Sequence, residues 1–206
     1  LGNYAFYHCE SIPKITVPAS VEADKIGSHV FAHCYDLVVL DLQNDALGVK
    51  MFSNCTSLLD IIVPDGVSSI ASGTFEYCTS LRYVMIPNSV ISIGEAAFNC
   101  CPSLQKLVIP FIGSSAGNNG TEEALFGWIF GKEVFNYKDG TACSTTTQNY
   151  KSGSARTVYI PKTLKSVYIT NETIVGYGAF QNCLHIENIV IAHDYVPTKV
   201  YETEGT

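Results

Sequence analysis

The chain has 206 residues, 47% apolar and 15% charged, and carries a net charge of −7 from 12 basic and 19 acidic side chains. So few cations argue against a nucleic-acid footprint or an anionic-membrane patch, and no window reaches the roughly 18 consecutive apolar residues of a membrane span. Partners are expected to be protein or glycan, and no cofactor or metal is expected.

From the first residues onward one phrase recurs. Phenylalanines stand at Phe6, Phe31, Phe52, Phe75, Phe98 and Phe180. Three residues after each comes Cys9, Cys34, Cys55, Cys78, Cys101 or Cys183, and three further on Ile12, Leu37, Leu58, Leu81, Leu104 or Ile186. The first four gaps between phenylalanines are 25, 21, 23 and 23 residues, within the roughly 20–29 of a coil made from one strand and one return segment.

Each unit then reads as a short strand. Leu81, Val84 and Ile86 in one coil, and Leu104, Leu107 and Ile109 in the next, place apolar side chains on one face, because successive strand residues alternate. Tyr83 and Met85 are predicted to face outward beside Lys106 and Val108, one strand spacing of about 4.8 Å away. Pro18, Pro64, Pro87, Pro110 and Pro161 mark the corner where pairing ends. A return segment such as 89–94 supplies two more apolar anchors, and Gly27, Gly94 and Gly176 are predicted at the next bend. The second coil lacks the proline and has a return two residues shorter, so the stack is expected to be less regular there.

The fold class expected is an α/β-type repeat solenoid: a leucine-rich-repeat right-handed superhelix with one short parallel strand per coil and mostly irregular or short helical returns. Residues 1–206 are expected to form a single solenoid, with 198–206 as a frayed tail or partial cap. Leu1 stands almost at the first Phe without a Met or a signal-like stretch before it. The chain is therefore expected to be a mature or excised fragment, and any export signal or anchor is expected to lie outside it.

The unit Ala-Phe-x-x-Cys-x-Ser-Leu-x-x-Ile-x-Ile-Pro-x-Ser-Val-x-x-Ile-Gly resembles the BspA-type leucine-rich repeat. The match is fullest at Thr74-Phe75-Glu76-Tyr77-Cys78-Thr79-Ser80-Leu81 and Val84-Met85-Ile86-Pro87-Asn88-Ser89-Val90. Proteins of this kind are surface or secreted products of host-associated bacteria and some protozoa. The resemblance therefore implies a non-enzymatic adhesion or recognition module, extracellular or at the cell surface, binding host matrix protein or glycan. The alternative is a structural spacer that presents another domain and binds nothing.

Six of the eight cysteines share one place in the coil. They are expected to stack as a column of thiols, since a disulfide needs Cβ atoms turned toward each other at about 3.8 Å. Cys100 and Cys143 stand off register and are the one pair for which a bridge is entertained. His8 and His33 each precede a column cysteine, but consecutive residues point apart, and zinc needs four convergent donors. His185, His193 and Asp194 have no nucleophile placed beside them by the repeat, so catalysis is not expected.

After Pro110 the pattern breaks, and an insertion is expected over about 113–155. Its polar flanks enclose Leu125, Phe126, Trp128, Ile129 and Phe130. These are too apolar for water, and read either as a short helix docked on the solenoid or as an aromatic binding platform centred on Trp128. On the outward strand face, Val39, Ile62, Tyr83, Met85, Val108 and Tyr168 form a half-apolar stripe. Exposed apolar stripes mark interaction surfaces, although ordinary β-propensity also places such residues there. The candidate ligand-binding residues are Asp41, Asp60, Ile62, Tyr83, Met85, Lys106, Val108, Trp128 and Tyr168.

Overall fold

A computed structural model describes residues 1–22, 25–132 and 143–192. The tail expected at 198–206, together with His193 and Asp194, lies outside the described residues.

Among the described residues seven short strands trace seven coils: β1 (Lys14–Val17), β2 (Val39–Leu42), β4 (Asp60–Ile62), β6 (Tyr83–Met85), β8 (Lys106–Ile109), β11 (Ser166–Ile169) and β12 (Asn188–Ile191). All of their ladders are parallel. No α-helix forms among the described residues. The returns are more ordered than the sequence suggests, because β3 (Ala46–Leu47), β5 (Ser69–Ile70) and β7 (Ser92–Ile93) build a second parallel ladder. Leu47, Ile70 and Ile93 point inward from it and are buried, which gives each return an anchor of its own.

A third side of the coil is the phenylalanine arc. Its backbone is bent left-handed two residues before and two residues after each Phe. The first row is Tyr4, His29, Lys50, Gly73, Ala96 and Gly178; the second is His8, His33, Asn54, Tyr77, Cys100 and Asn182, all with φ between 51° and 67°. These bends aim alternate N–H groups along the solenoid axis. Lys50, Phe52 and Asn54 donate to the carbonyls of Ser72, Thr74 and Glu76 in the next coil, so the arc satisfies its own backbone. The glycines expected at the bend have a different task. Gly94 has no left-handed φ, but a Cβ there would stand 2.4 Å from the Ser72 nitrogen, so it permits close approach between coils.

The core is a pile of rings. Phe6, Phe31, Phe52, Phe75 and Phe98 stack in sequence with centroids 5.1–5.6 Å apart and planes within 12° of parallel. All eight cysteines are in the thiol form. The thiols of Cys34, Cys55, Cys78 and Cys101 donate to the carbonyls of Phe6, Phe31, Phe52 and Phe75 in the preceding coil. A small, weakly polar group suits this place, since it fills the corner and supplies a donor to a carbonyl of the preceding coil.

The strand sheet breaks where irregularity was expected. β1 and β2 form one sheet, β4 through β12 another, with no ladder between β2 and β4. With 21 residues from Phe31 to Phe52, the corner after Leu42 falls short, and Asn44 turns the chain by donating to the Ala46 carbonyl. The arc continues across the gap, where His29, Phe31 and His33 donate to Val49, Met51 and Ser53.

The interruption expected over about 113–155 has two parts. Residues 113–130 keep to the coil: Ile93 donates to Ser114, Ala96 to Trp128 and Phe98 to Ile129. Phe130 thereby follows Phe98 in the arc, while Phe126, in the same 3-10 helix Phe126–Phe130, packs on Phe180 with centroids 4.6 Å apart and planes tilted by 31°, and donates its N–H to the Ala179 carbonyl. The true excursion leaves after Gly131 and returns at Pro161, whose carbonyl accepts from Leu164 as that of Cys101 accepts from Leu104. It contains the antiparallel hairpin of β9 (Cys143–Lys151) and β10 (Ser154–Pro161). β8 pairs directly with β11 across it, so the strand face is uninterrupted from β4 to β12.

Side chains pin the hairpin down. Gln148, fully buried, accepts from the Gly127 N–H and donates to the Ala179 carbonyl. Gln181 accepts from the Asn149 N–H, and Asn182 donates to the Thr147 carbonyl, which covers the outer edge of β9. Gly178, at φ 67°, lies so near that a Cβ would meet the Asn149 oxygen at 1.9 Å. Buried Glu172 accepts from the N–H groups of Ile112, Gly117, Thr173 and Ile174 and fixes the polar loop after Pro110.

Candidate interaction surface

Strand parity and register generate two outward rows. One runs Asp60, Tyr83, Lys106, Ser166, Asn188; the other runs Ile62, Met85, Val108, Tyr168, Val190. The inward partners Ile61, Val84, Leu107 and Val167 are buried, so the parity read from sequence holds from β4 to β11, while Ile189 in the last strand, β12, is exposed. Ahead of the break, Lys14 faces Val39 and Thr16 faces Asp41, with the Thr16 hydroxyl 3.4 Å from Asp41 Oδ2.

The candidate residues differ in accessibility. Asp60 is exposed, and Asp41, Ile62, Tyr83, Met85, Lys106 and Tyr168 are half-buried. Val108 is 1% exposed, so it supports this face from beneath instead of lying on it. The reason is size: a short side chain has the longer Met85 and Tyr168 in register on either side. Lys106 Nζ stands 4.8 Å from the Tyr168 ring centroid and 5.8 Å from that of Tyr83, a cation between two aromatic faces.

Trp128 is not on the strand face. It sits on the return side, where its indole N–H donates to the Ile93 carbonyl at 3.0 Å and its ring lies 5.0 Å from the Arg156 guanidinium. Arg156 is buried and pairs with Glu95 and with Glu122, the latter at 3.5 Å. Leu125, Phe126, Ile129 and Phe130 are buried around it, in keeping with a short docked helix. Sequence reasoning missed Arg156, Gln148 and Glu172, since their partners lie outside any local pattern.

Chemistry is sparse. His8 and His33 stack with centroids 4.5 Å apart; His8 Nδ1 contacts Glu10 at 3.1 Å and His33 Nδ1 contacts the Tyr35 hydroxyl at 2.7 Å. Among the described residues no three His, Cys, Asp or Glu side chains converge as metal donors. Burial holds the His185 imidazole below its ordinary value, and Nε2 has no hydrogen-bond partner among the described residues. Cys143 is pushed up to about 11 by burial and next by the nearby Cys100, whose thiol contacts Asn99 Oδ1. No helix among the described residues is long and apolar enough to cross a membrane.

A profile of the BspA type leucine rich repeat region matches six copies over residues 1–120 and 130–202. The chain belongs to the BspA-type leucine-rich repeat family. Among solved structures, the T. pallidum leucine-rich repeat protein TpLRR is 34% identical at a TM-score of 0.50, covering 53% of this chain and 51% of that one. A leucine-rich repeat protein from Bacteroides ovatus shows 20% identity and a TM-score of 0.45, over 87% of this chain and 43% of that one. A leucine rich cell surface protein from Faecalibacterium prausnitzii shows 14% and 0.33, over 95% and 66%. This BspA-type chain thus spans about half the length of TpLRR. No curated protein matches it. Leucine-rich repeats of this kind are typically protein-interaction or scaffold modules, and typically non-enzymatic.

Proposed function

We propose that residues 1–206 are one solenoid serving as a non-enzymatic recognition module, extracellular or at the cell surface. It binds a protein or glycan, such as a host matrix component, through the strand face. The observation that carries this reading is the half-apolar outward face, where Val39, Ile62, Tyr83, Met85 and Tyr168 keep accessible surface. Rigid backing favours it too, because a stacked sheet holds those side chains in place before a partner arrives and lowers the ordering cost of binding.

The test is binding to an array of matrix proteins and glycans, with the Tyr83→Ala/Met85→Ala double variant as comparison. Capture by the wild type that is lost in the folded variant is expected. Equal capture by both removes the strand face as the site, and no capture by either favours the spacer.

A further inference from the structure

The centre of the strand face holds a cation in an unusual setting. Lys106 lies between Tyr83 and Tyr168, whose ring faces stabilise a positive charge without neutralising it. Lys25, Lys50, Arg156 and Lys165 each have a carboxylate oxygen within 4.0 Å. Lys106 has none among the described residues, and neither do Lys14, Lys132, Lys151, Lys162 or Arg82. Of these only Lys106 stands between two rings of the strand face, and the Arg82 carbonyl accepts its backbone N–H. Two adjacent coils therefore present uncompensated cations on a chain whose net charge is −7.

We propose that Tyr83, Lys106 and Tyr168 form a carboxylate-recognition spot, and that its occupant is an acidic side chain of a protein partner. This rests on the strand face being the contact surface. The ammonium keeps its N–H donors for a third party while the two rings flank it, so a carboxylate gains a charge-assisted bond to a donor already held between them. Met85 lies on the Tyr83 strand and Ile62 on the strand next to it, both in the second row, offering apolar contact to residues beside that acid. A sulfated glycan fits less well. It would need a run of cations, whereas Asp60 lies two strands from Lys106 in the same row, and Asp41 faces outward beyond the break.

Two immobilised short-peptide libraries, identical except for a fixed central Glu or Gln among randomised apolar and neutral positions, serve as probe. The wild type is expected to retain the Glu library about tenfold better, with the preference fading in high salt. Lys106→Met, which keeps the aliphatic stem, should abolish the preference. Lys14→Met, on the same face ahead of the break, should leave it intact. Lys106→Gln is the second variant should Lys106→Met fail to give the wild-type thermal transition.

Equal retention of the two libraries by the wild type overturns the proposal, as does retention of neither. An unchanged preference in the Lys106 variants does the same. Equal retention that is lost in Tyr83→Ala/Met85→Ala sinks the carboxylate spot while leaving the strand face as the binding surface. Heparin capture that depends on Lys106, without a Glu preference, replaces the acidic peptide with a sulfated glycan and overturns the proposal.

Discussion

The Cys78 thiol donates to the Phe52 carbonyl of the preceding coil at 3.4 Å, and that same carbonyl accepts the Cys55 N–H at 3.3 Å. The Cys34 thiol shares the Phe6 carbonyl with the Cys9 N–H, and the Cys101 thiol shares the Phe75 carbonyl with the Cys78 N–H, so these cysteines join two coils through one oxygen. Burial pushes the Cys34 thiol up to about 11 and Cys183 to about 12, and raises Cys55, Cys78 and Cys101 as well. The thiolate is the reactive form, so these groups should resist alkylation in the folded protein near pH 8. Mass spectrometry after iodoacetamide is expected to show Cys55, Cys78 and Cys101 unmodified until denaturant is added. Native labelling of these three at the rate of a small thiol would show that the column is open.

Phe75 lies between Phe52 and Phe98 with no exposed surface. Its ring is packed on both sides by coils that are themselves stacked, so little can collapse into the space it leaves. Phe75→Ala should cost about 3–5 kcal/mol in urea unfolding. A loss below about 1 kcal/mol would place the ring outside the core.

Arg156 ties the hairpin to the coils through Glu95 and Glu122 and stacks on Trp128. Both glutamates keep partial access to water, so removing the guanidinium strands them less than a fully buried pair would be. Arg156→Ala should cost about 1–3 kcal/mol. Amide exchange should rise in β9 and β10 before it rises in β4 and β6. Arg156→Lys should recover little, because an ammonium cannot reach two carboxylates with a planar fork.

Ala96 holds φ of 60°, a conformation that costs an L-residue about 1–2 kcal/mol. Ala96→Gly removes that strain but adds unfolded-state freedom, worth about 0.4–1 kcal/mol against folding. Stability should rise by about 0.5–1 kcal/mol, read as a higher melting temperature. A lower one would mean that the Ala96 methyl contributes more packing than the bend costs.

Burial lowers the pKa of both His29 and His33 below 6.5; Lys50 lowers His29 further, and His8 lowers His33 further. The unfolded chain then binds protons at a pH where the folded chain does not. The stability they contribute is intact above about pH 6.5 and declines as pH falls toward the folded values. The urea midpoint should drop between pH 7.5 and pH 5, and the drop should be smaller in His33→Gln. An identical pH profile in that variant would remove His33 from the account.

Periodicity was legible without coordinates. Phe-x-x-Cys steps, alternating strand faces and corner prolines are short-range features, so the rows Asp60, Tyr83, Lys106 and Ile62, Met85 could be written from residue spacing alone. The coil repeats its own geometry, and local rules therefore carry over to neighbours in space.

Other features exist only once distant segments meet. Phe130 and Phe126 fill the arc between Phe98 and Phe180, and Arg156 finds Glu95 across 61 residues. The size of neighbours in register buries Val108, and among the described residues the surroundings of Lys106 leave its charge without a carboxylate. Packing and charge pairing depend on which atoms the folded chain brings within a few ångströms, and spacing along the chain does not encode that once the repeat is broken.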